Sequence, residues 1–292
     1  MGRLVNSRHI LALLVAVCSM VIFSMGSFAL AADQSFEGES ALYGVGRQNL
    51  SNNDYLSKLE TFHPIKDSRN AYDIAIGRRG RMILLWGLAS TVGTSILDDE
   101  TQRHWSHRRR LGDLDYLGNE ILGTGVPGLL IGGACWISGK IGKDLYVLHS
   151  GYAQVEAIAV TGIVTFLLKG VVNRRRPDES NMHSFPSGHT STMFATATAL
   201  QEFFGWKIGV PAYLLGALTA AGRLSDNRHW LSDTVAGAFL GSWIAWSFSS
   251  AHLNQLEQKP VQDVNKVDYS ISPLFYRENG ITEMGVSLLA SF

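Results

Sequence analysis

The chain has 292 residues, with 25 lysines and arginines against 25 aspartates and glutamates, so no global basic field would draw it to nucleic acid. Hydrophobic residues make up 46% and charged residues only 17%, below the usual quarter, which points to a very apolar core, a membrane setting, or both. This length is enough to bury a real core as one large domain or two small ones.

Residues 1–31 read as an export signal. Arg3 and Arg8 form a positive start, an apolar run follows from Ile10 to Leu30, and Ala29-Leu30-Ala31 is a small-x-small cleavage site. The run is long for a cleaved signal, so an uncleaved anchor stays open; both place the rest of the chain outside the cytoplasm, in a bacterial periplasm. Cys18 lies mid-run, without the small residues that precede a lipidated cysteine. With the signal removed, Cys135 is alone, no internal disulfide is possible, and Cys135 is expected as a buried small hydrophobe.

Residues 32–80 are polar and aperiodic, an N-terminal extension with a short helix expected at 54–62. From Arg81 apolar stretches recur at 82–97, 121–137, 152–168, 190–204, 208–221 and 231–248, bounded by Gly, Pro or charges, a helical pattern. A bilayer span needs roughly 20 apolar residues, and most of these runs are shorter. The expected fold is therefore all-α: a compact six-helix bundle over 81–255, either embedded in a membrane or soluble with the same packing. The charged stretch 98–120 reads as a rim. Its adjacent Asp98, Asp99 and Glu100 are expected to be solvated rather than metal ligands. His104, His107 and Arg108 to Arg110 make a basic rim, with Trp105 and Tyr116 suited to an interface. Residues 256–292 read as a tail with two strands around a turn, a small β-hairpin.

Three segments carry chemistry. In the first, KGVVNRRRP, Lys169 and Arg176 are seven residues apart, two turns along one helix face, and Pro177 ends the helix. Alone this suits a basic stop signal. In the second, Pro186-Ser187-Gly188-His189 opens a helix whose first amides point outward, where an anion is favoured. Gly188 admits close approach, Ser187 adds a hydroxyl and His189 an imidazole; alone, His189 is as well explained as a rim histidine. In the third, Arg223 precedes His229 by six residues, and His229 and Asp233 are four apart. On one helical face Asp233 would take the Nδ1–H of His229 and leave Nε2 free as a nucleophile. Asp226 or Asn227 would cap that helix. In an up-and-down bundle all these helix ends lie on one face.

Together the segments resemble the signatures of the type 2 phosphatidic acid phosphatase (PAP2) superfamily, which also holds bacterial acid phosphatases and vanadium haloperoxidases. The resemblance rests on Lys169-x6-Arg176-Pro177, the intact Pro186-Ser187-Gly188-His189, and Arg223-x5-His229-x3-Asp233, over roughly 85–250. Gly222 stands where the family usually has Ser. The resemblance implies phosphomonoester hydrolysis without a metal or other cofactor. It makes His229 the nucleophile, Asp233 its orienting partner and His189 the acid and base. Lys169, Arg176, Ser187, Gly188 and Arg223 would hold the phosphate. The implied substrate is a phosphorylated lipid or a small phosphomonoester, with membrane association. A vanadate-dependent haloperoxidase and a lipid phosphotransferase would use the same residues, with vanadate as cofactor only in the former. A non-enzymatic envelope protein is the reading from another class.

Overall fold

A computed structural model describes residues 61–105, 117–257, 268–278 and 281–291. The chain divides into two compact units, Met1–Leu256 and Glu257–Phe292. The described residues of the first unit are helices and their connections. In order they are α1 (Pro64–Ile76), α2 (Arg78–Ser95), α3 (Asp98–Trp105), a π-turn (Leu117–Ile121) and a 3-10 turn (Leu122–Thr124). Then come α4 (Val126–Gly142), α5 (Leu145–Val172), α6 (Gly188–Phe204), α7 (Trp206–Ser225) and α8 (Leu231–Glu257).

Local chemistry explains most of the boundaries. Pro64 sits at the first position of α1, where its missing N–H costs nothing. Asp144 caps α5, its carboxylate accepting from the amides of Tyr146 at 3.0 Å and Val147 at 3.1 Å. The same helix ends at Asn173, which takes a left-handed conformation at φ 48° and donates its amide to Lys169 O. Five of the apolar stretches seen in the sequence fall largely within α2, α5, α6, α7 and α8, and the sixth, 121–137, overlaps the 3-10 turn and α4. Helices α1 and α3 lie in stretches expected to be extension and rim, and the helix expected at 54–62 falls almost wholly outside the described residues.

The core is made of small residues. Ala157, Ala195, Ala199, Ala245 and Ala251 are buried with Ile244 and Phe248, and Ala71 of α1 joins them. Small side chains let helix backbones touch, and α6 and α8 approach each other closely. A Cβ on Gly241 would lie 2.0 Å from Ser191 O, and one on Gly237 would lie 2.5 Å from Ser187 O. No larger residue fits, so the start of α6 is pressed against the first half of α8. Cys135 is half-buried rather than fully buried, because it lies on α4, whose Leu130 and Ile137 are exposed.

In the second unit β1 (Asp268–Glu278) and β2 (Ile281–Ser291) pair antiparallel, in register from Asp268 opposite Ser291 to Glu278 opposite Ile281.

Candidate active site

Five segments supply the motif residues. Lys169 lies in the last turn of α5, Arg176 on the loop 173–187, Ser187 to His189 at the start of α6, and Arg223 in the last turn of α7. His229 precedes α8 and Asp233 lies in its first turn. The amide of Ser187 donates to Asp233 O at 3.0 Å, which locks the start of α6 to the start of α8.

Two expectations from helical spacing need correction. Lys169 and Arg176 do not share a helix face, because α5 stops at Val172 and Arg176 is reached by the loop. Pro177 is not the stop; the left-handed Asn173 is. Nor do His229 and Asp233 share a face, since α8 begins at Leu231. Asp226 closes α7, its amide donating to Gly222 O at 2.9 Å.

That second correction changes the chemistry. His229 Nδ1 lies 2.7 Å from the carbonyl oxygen of Ser184 but 3.7 Å from Asp233 Oδ2. A carbonyl only accepts, so Nδ1 must carry the proton and Nε2 must present its lone pair. The tautomer expected from the sequence is present, but a backbone oxygen enforces it. His229 is 3% exposed. Burial pushes its pKa down from 6.5 to about 4, the Arg223 and Lys169 charges push the same way, and Asp233 opposes them. The imidazole is therefore neutral at neutral pH, as a nucleophile requires.

Asp233 acts as the hub of a buried network. It accepts from the Ser184 hydroxyl, from the Trp230 amide at 2.9 Å and from Arg174 NH1 at 2.8 Å. Burial alone would raise its pKa, but neighbouring His229, these hydrogen bonds and the Arg174 charge outweigh it and hold the group below the ordinary carboxylate range. By reaching back to the Trp230 amide Asp233 also closes the first turn of α8, half of a capping box. Asp98 completes that cap from α3, its Oδ1 accepting from the Ser232 amide at 2.9 Å. Its Oδ2 accepts from the Ser232 hydroxyl at 2.6 Å and from Arg174 NH2 at 2.7 Å. Asp98 was expected to be solvated; it is 4% exposed, and its work is to hold Arg174 and α8.

Arg174, Ser184 and Asp98 are therefore part of the candidate site, though motif spacing did not single them out. Arg174 forks between two carboxylates and lies over the Trp230 ring at 5.4 Å from its centroid. The loop that carries it is tied down at further points. Trp230 Nε1 donates to Arg175 O at 2.9 Å, and Arg228 pairs with Asp178 at 3.0 Å. In the sequence Arg174 is one of three consecutive arginines and Ser184 sits two residues before Pro186, with nothing to mark either.

The remaining motif residues surround this network. Lys169 Nζ donates to His183 O at 2.7 Å. Lys169, Arg176 and Arg223 lie within electrostatic range of one another, and Lys169 and Arg223 act on His229. Arg176 Nε and Arg223 Nε are buried without a hydrogen-bond partner, the mark of guanidinium groups arranged for an anion. Ser187 is buried and its hydroxyl shares a hydrogen bond with Thr190 at 3.0 Å rather than capping α6. Gly188 is the first residue of α6, so its amide points out of the helix start. His189 follows, with its ring against the 3-10 turn. A Cβ on Gly123 would lie 2.6 Å from both Cβ and Cδ2 of His189, and Gly123 O accepts from Thr192 at 3.0 Å. His104 ends α3, and His107 and Arg108 to Arg110 lie outside the described residues.

Known proteins resemble this part of the chain in sequence. The family model described as the PAP2 superfamily matches residues 152–257, a stretch that holds every motif residue named above. The lipid A 1-phosphatase of Porphyromonas gingivalis is 39% identical over 85 residues, 26% of this chain and 19% of that protein. The probable lipid phosphate phosphatase 4 of Arabidopsis thaliana is 28% identical over 154 residues, 38% of this chain and 50% of that protein. The lipid A 4'-phosphatase of Helicobacter pylori is 33% identical over 86 residues, 30% of this chain and 40% of that protein. The chain thus spans half or less of the length of these curated relatives. No solved structure matches it. Residues 152–257 thus resemble the PAP2 superfamily, and the matched relatives are lipid phosphatases by name.

Proposed function

We propose that the chain is an exported phosphatase that hydrolyses a lipid phosphate through a phosphohistidine on His229. The observation that carries this reading is the pairing of His229 Nδ1 with Ser184 O, which leaves Nε2 as a neutral nucleophile beside cationic groups with unpaired donors.

In the first step Nε2 attacks phosphorus and the ester P–O bond breaks. The leaving alkoxide takes a proton from His189. In the second step His189 accepts a proton from water, the hydroxide attacks the phosphohistidine, and the P–N bond breaks to release inorganic phosphate. Nδ1 keeps its proton throughout, and the charge that develops on the ring is spread to Ser184 O and to Asp233. Lys169, Arg176, Arg223 and the first amides of α6 stabilise the equatorial oxygens, where phosphoryl transfer needs charge most. Ser187 steadies the turn into α6 through Thr190.

A lipid substrate is favoured by the relatives' printed activities and by the outer surface. Leu85 and Trp86 on α2, Leu130 and Ile141 on α4, and Phe166 and Val171 on α5 are exposed. Such a belt suits contact with acyl chains. One helix, Leu145–Val172, is long and apolar enough to cross a membrane, and α2 with α3 passes the same test as a pair bent by 64°.

The test is phosphate release by the purified protein from phosphatidic acid, a bisphosphorylated lipid A, undecaprenyl pyrophosphate and p-nitrophenyl phosphate. Turnover of one lipid, with an acid-labile phosphoprotein trapped by rapid quench and both lost in His229→Ala, is the expected result. Wild-type turnover in His229→Ala would overturn the mechanism. Turnover of the small ester alone would overturn the lipid assignment.

A further inference from the structure

A second buried polar cluster lies elsewhere in the bundle and takes no part in the steps above. Asp67 of α1, Glu156 of α5 and His252 of α8 are 2%, 5% and 1% exposed. One ligand atom from each lies within 4.8 Å of the others. Glu156 is 13 residues before Lys169 on α5, a rise of about 20 Å. His252 is 19 residues beyond Asp233 on α8, about 28 Å. This cluster is thus well separated from the catalytic cluster along the same two helices, near the middle of α5 and the last turns of α8.

The charges within the cluster do not balance. Two carboxylates are buried together, and among the described residues neither pairs with a lysine or arginine. Asp67 Oδ1 accepts from Gln255 at 2.9 Å, and Glu156 Oε2 lies 2.8 Å from His252 Nε2. Glu156 Oε1 is buried with no hydrogen-bond partner among the described residues. Leaving two carboxylates in this state is costly unless a cation or a proton joins them.

The histidines show where a cation would go. His149 Nδ1 and His252 Nδ1 face each other at 2.9 Å, so only one of them carries a proton. When His252 is that donor, its Nε2 presents a lone pair to the Glu156 carboxylate. Two acceptors at 2.8 Å then need a proton or a cation between them, whereas the opposite tautomer would have Nε2–H donate to Glu156. His149 would fix the ring and tautomer of His252, as a group behind a metal ligand does.

We propose that Asp67, Glu156 and His252 bind one divalent cation of the zinc or manganese class, with His149 orienting His252. One imidazole and two carboxylates suit these ions, and the two carboxylate charges match the ion's own. Bonds of about 2.0–2.2 Å would open the His252–Glu156 pair slightly and draw the third ligand inward. The ion would fasten α1, which is remote in sequence, to α5 and α8. Its role is structural, independent of the phosphatase reading.

The experiment uses the full chain, purified without chelator. Metal content is measured by plasma mass spectrometry, and melting is followed after chelation and after adding Zn²⁺ or Mn²⁺ alone. The expected result is close to one equivalent of metal per chain and a melting temperature restored by roughly 5–10 °C on adding the ion. Glu156→Gln and His252→Ala should lose both effects, while His229→Ala keeps them. If a variant fails to fold, a Co²⁺ absorption spectrum of the wild-type chain still reports the ligands. No bound metal and no melting shift with either ion would overturn the site. Greater stability in Glu156→Gln, with no metal in the wild type, would assign the cluster to a shared proton instead.

Discussion

The two polar clusters along α5 and α8 use the same residue types in opposite charge balance. In the catalytic cluster, the carboxylates of Asp233 and Asp98 are both engaged by Arg174, and further cations remain, two of them with unpaired buried guanidinium nitrogens. In the second cluster, Asp67 and Glu156 meet histidines and, among the described residues, no arginine or lysine. A buried histidine beside a carboxylate therefore says little by itself. The sign of the charge left over decides whether the cluster receives an anion or a cation.

The strongest way to break this comparison is to remove the nucleophile from one cluster and a carboxylate from the other. His229→Ala should lower kcat for phosphate release by about 10³-fold or more. Glu156→Gln should leave kcat within about twofold, measured on the same substrate below the melting range. Equal losses would mean that the two clusters are coupled.

A pH series probes the burial of His229. Unfolded, the group binds a proton at its ordinary value of 6.5; folded, only near 4. The unfolded state therefore takes up more protons between these values. The contribution is fully present above 6.5 and is lost as pH falls towards 4, by up to about 3 kcal/mol. Urea unfolding at pH 7 and pH 4.5 should show a larger loss for the wild type than for His229→Ala.

Arg174→Gln leaves Asp98 and Asp233 without their shared cation. A cost of about 2–3 kcal/mol is expected, below that of a fully buried pair because Arg174 is partly exposed. Arg174→Lys should not restore stability, since an ammonium cannot fork between two carboxylates. Chemical denaturation measures both. A smaller loss than at His229 is expected for Gly123→Ala, where the new methyl group displaces the His189 ring. A loss of about tenfold in kcat with KM little changed would place Gly123 as a positioning residue.

Much of the candidate site was visible in the motif strings, because residues such as Lys169, His189 and Arg223 are named by their own side-chain chemistry and their order. What spacing misjudged was the backbone between them. The helical face expected for Lys169 and Arg176 assumes a helix that continues past Val172, but the left-handed Asn173 stops it. The face expected for His229 and Asp233 assumes a helix that starts two residues too early. Neither error altered which residues were chosen, but each altered what they bond to.

The sequence by itself determined the helical class of the first unit and its apolar stretches, since these depend on periodicity and local stop signals. It also determined which acids, bases and cations the bundle carries. Only the tertiary structure decided that a backbone carbonyl, Ser184 O, sets the tautomer of His229, because every residue has such a carbonyl and no letter marks it. Only the tertiary structure joined Asp98 to Arg174 across 76 positions and Glu156 to His252 across 96. Charge balance inside a protein is a property of contacts, and contacts at such separations are made by packing rather than by local propensity.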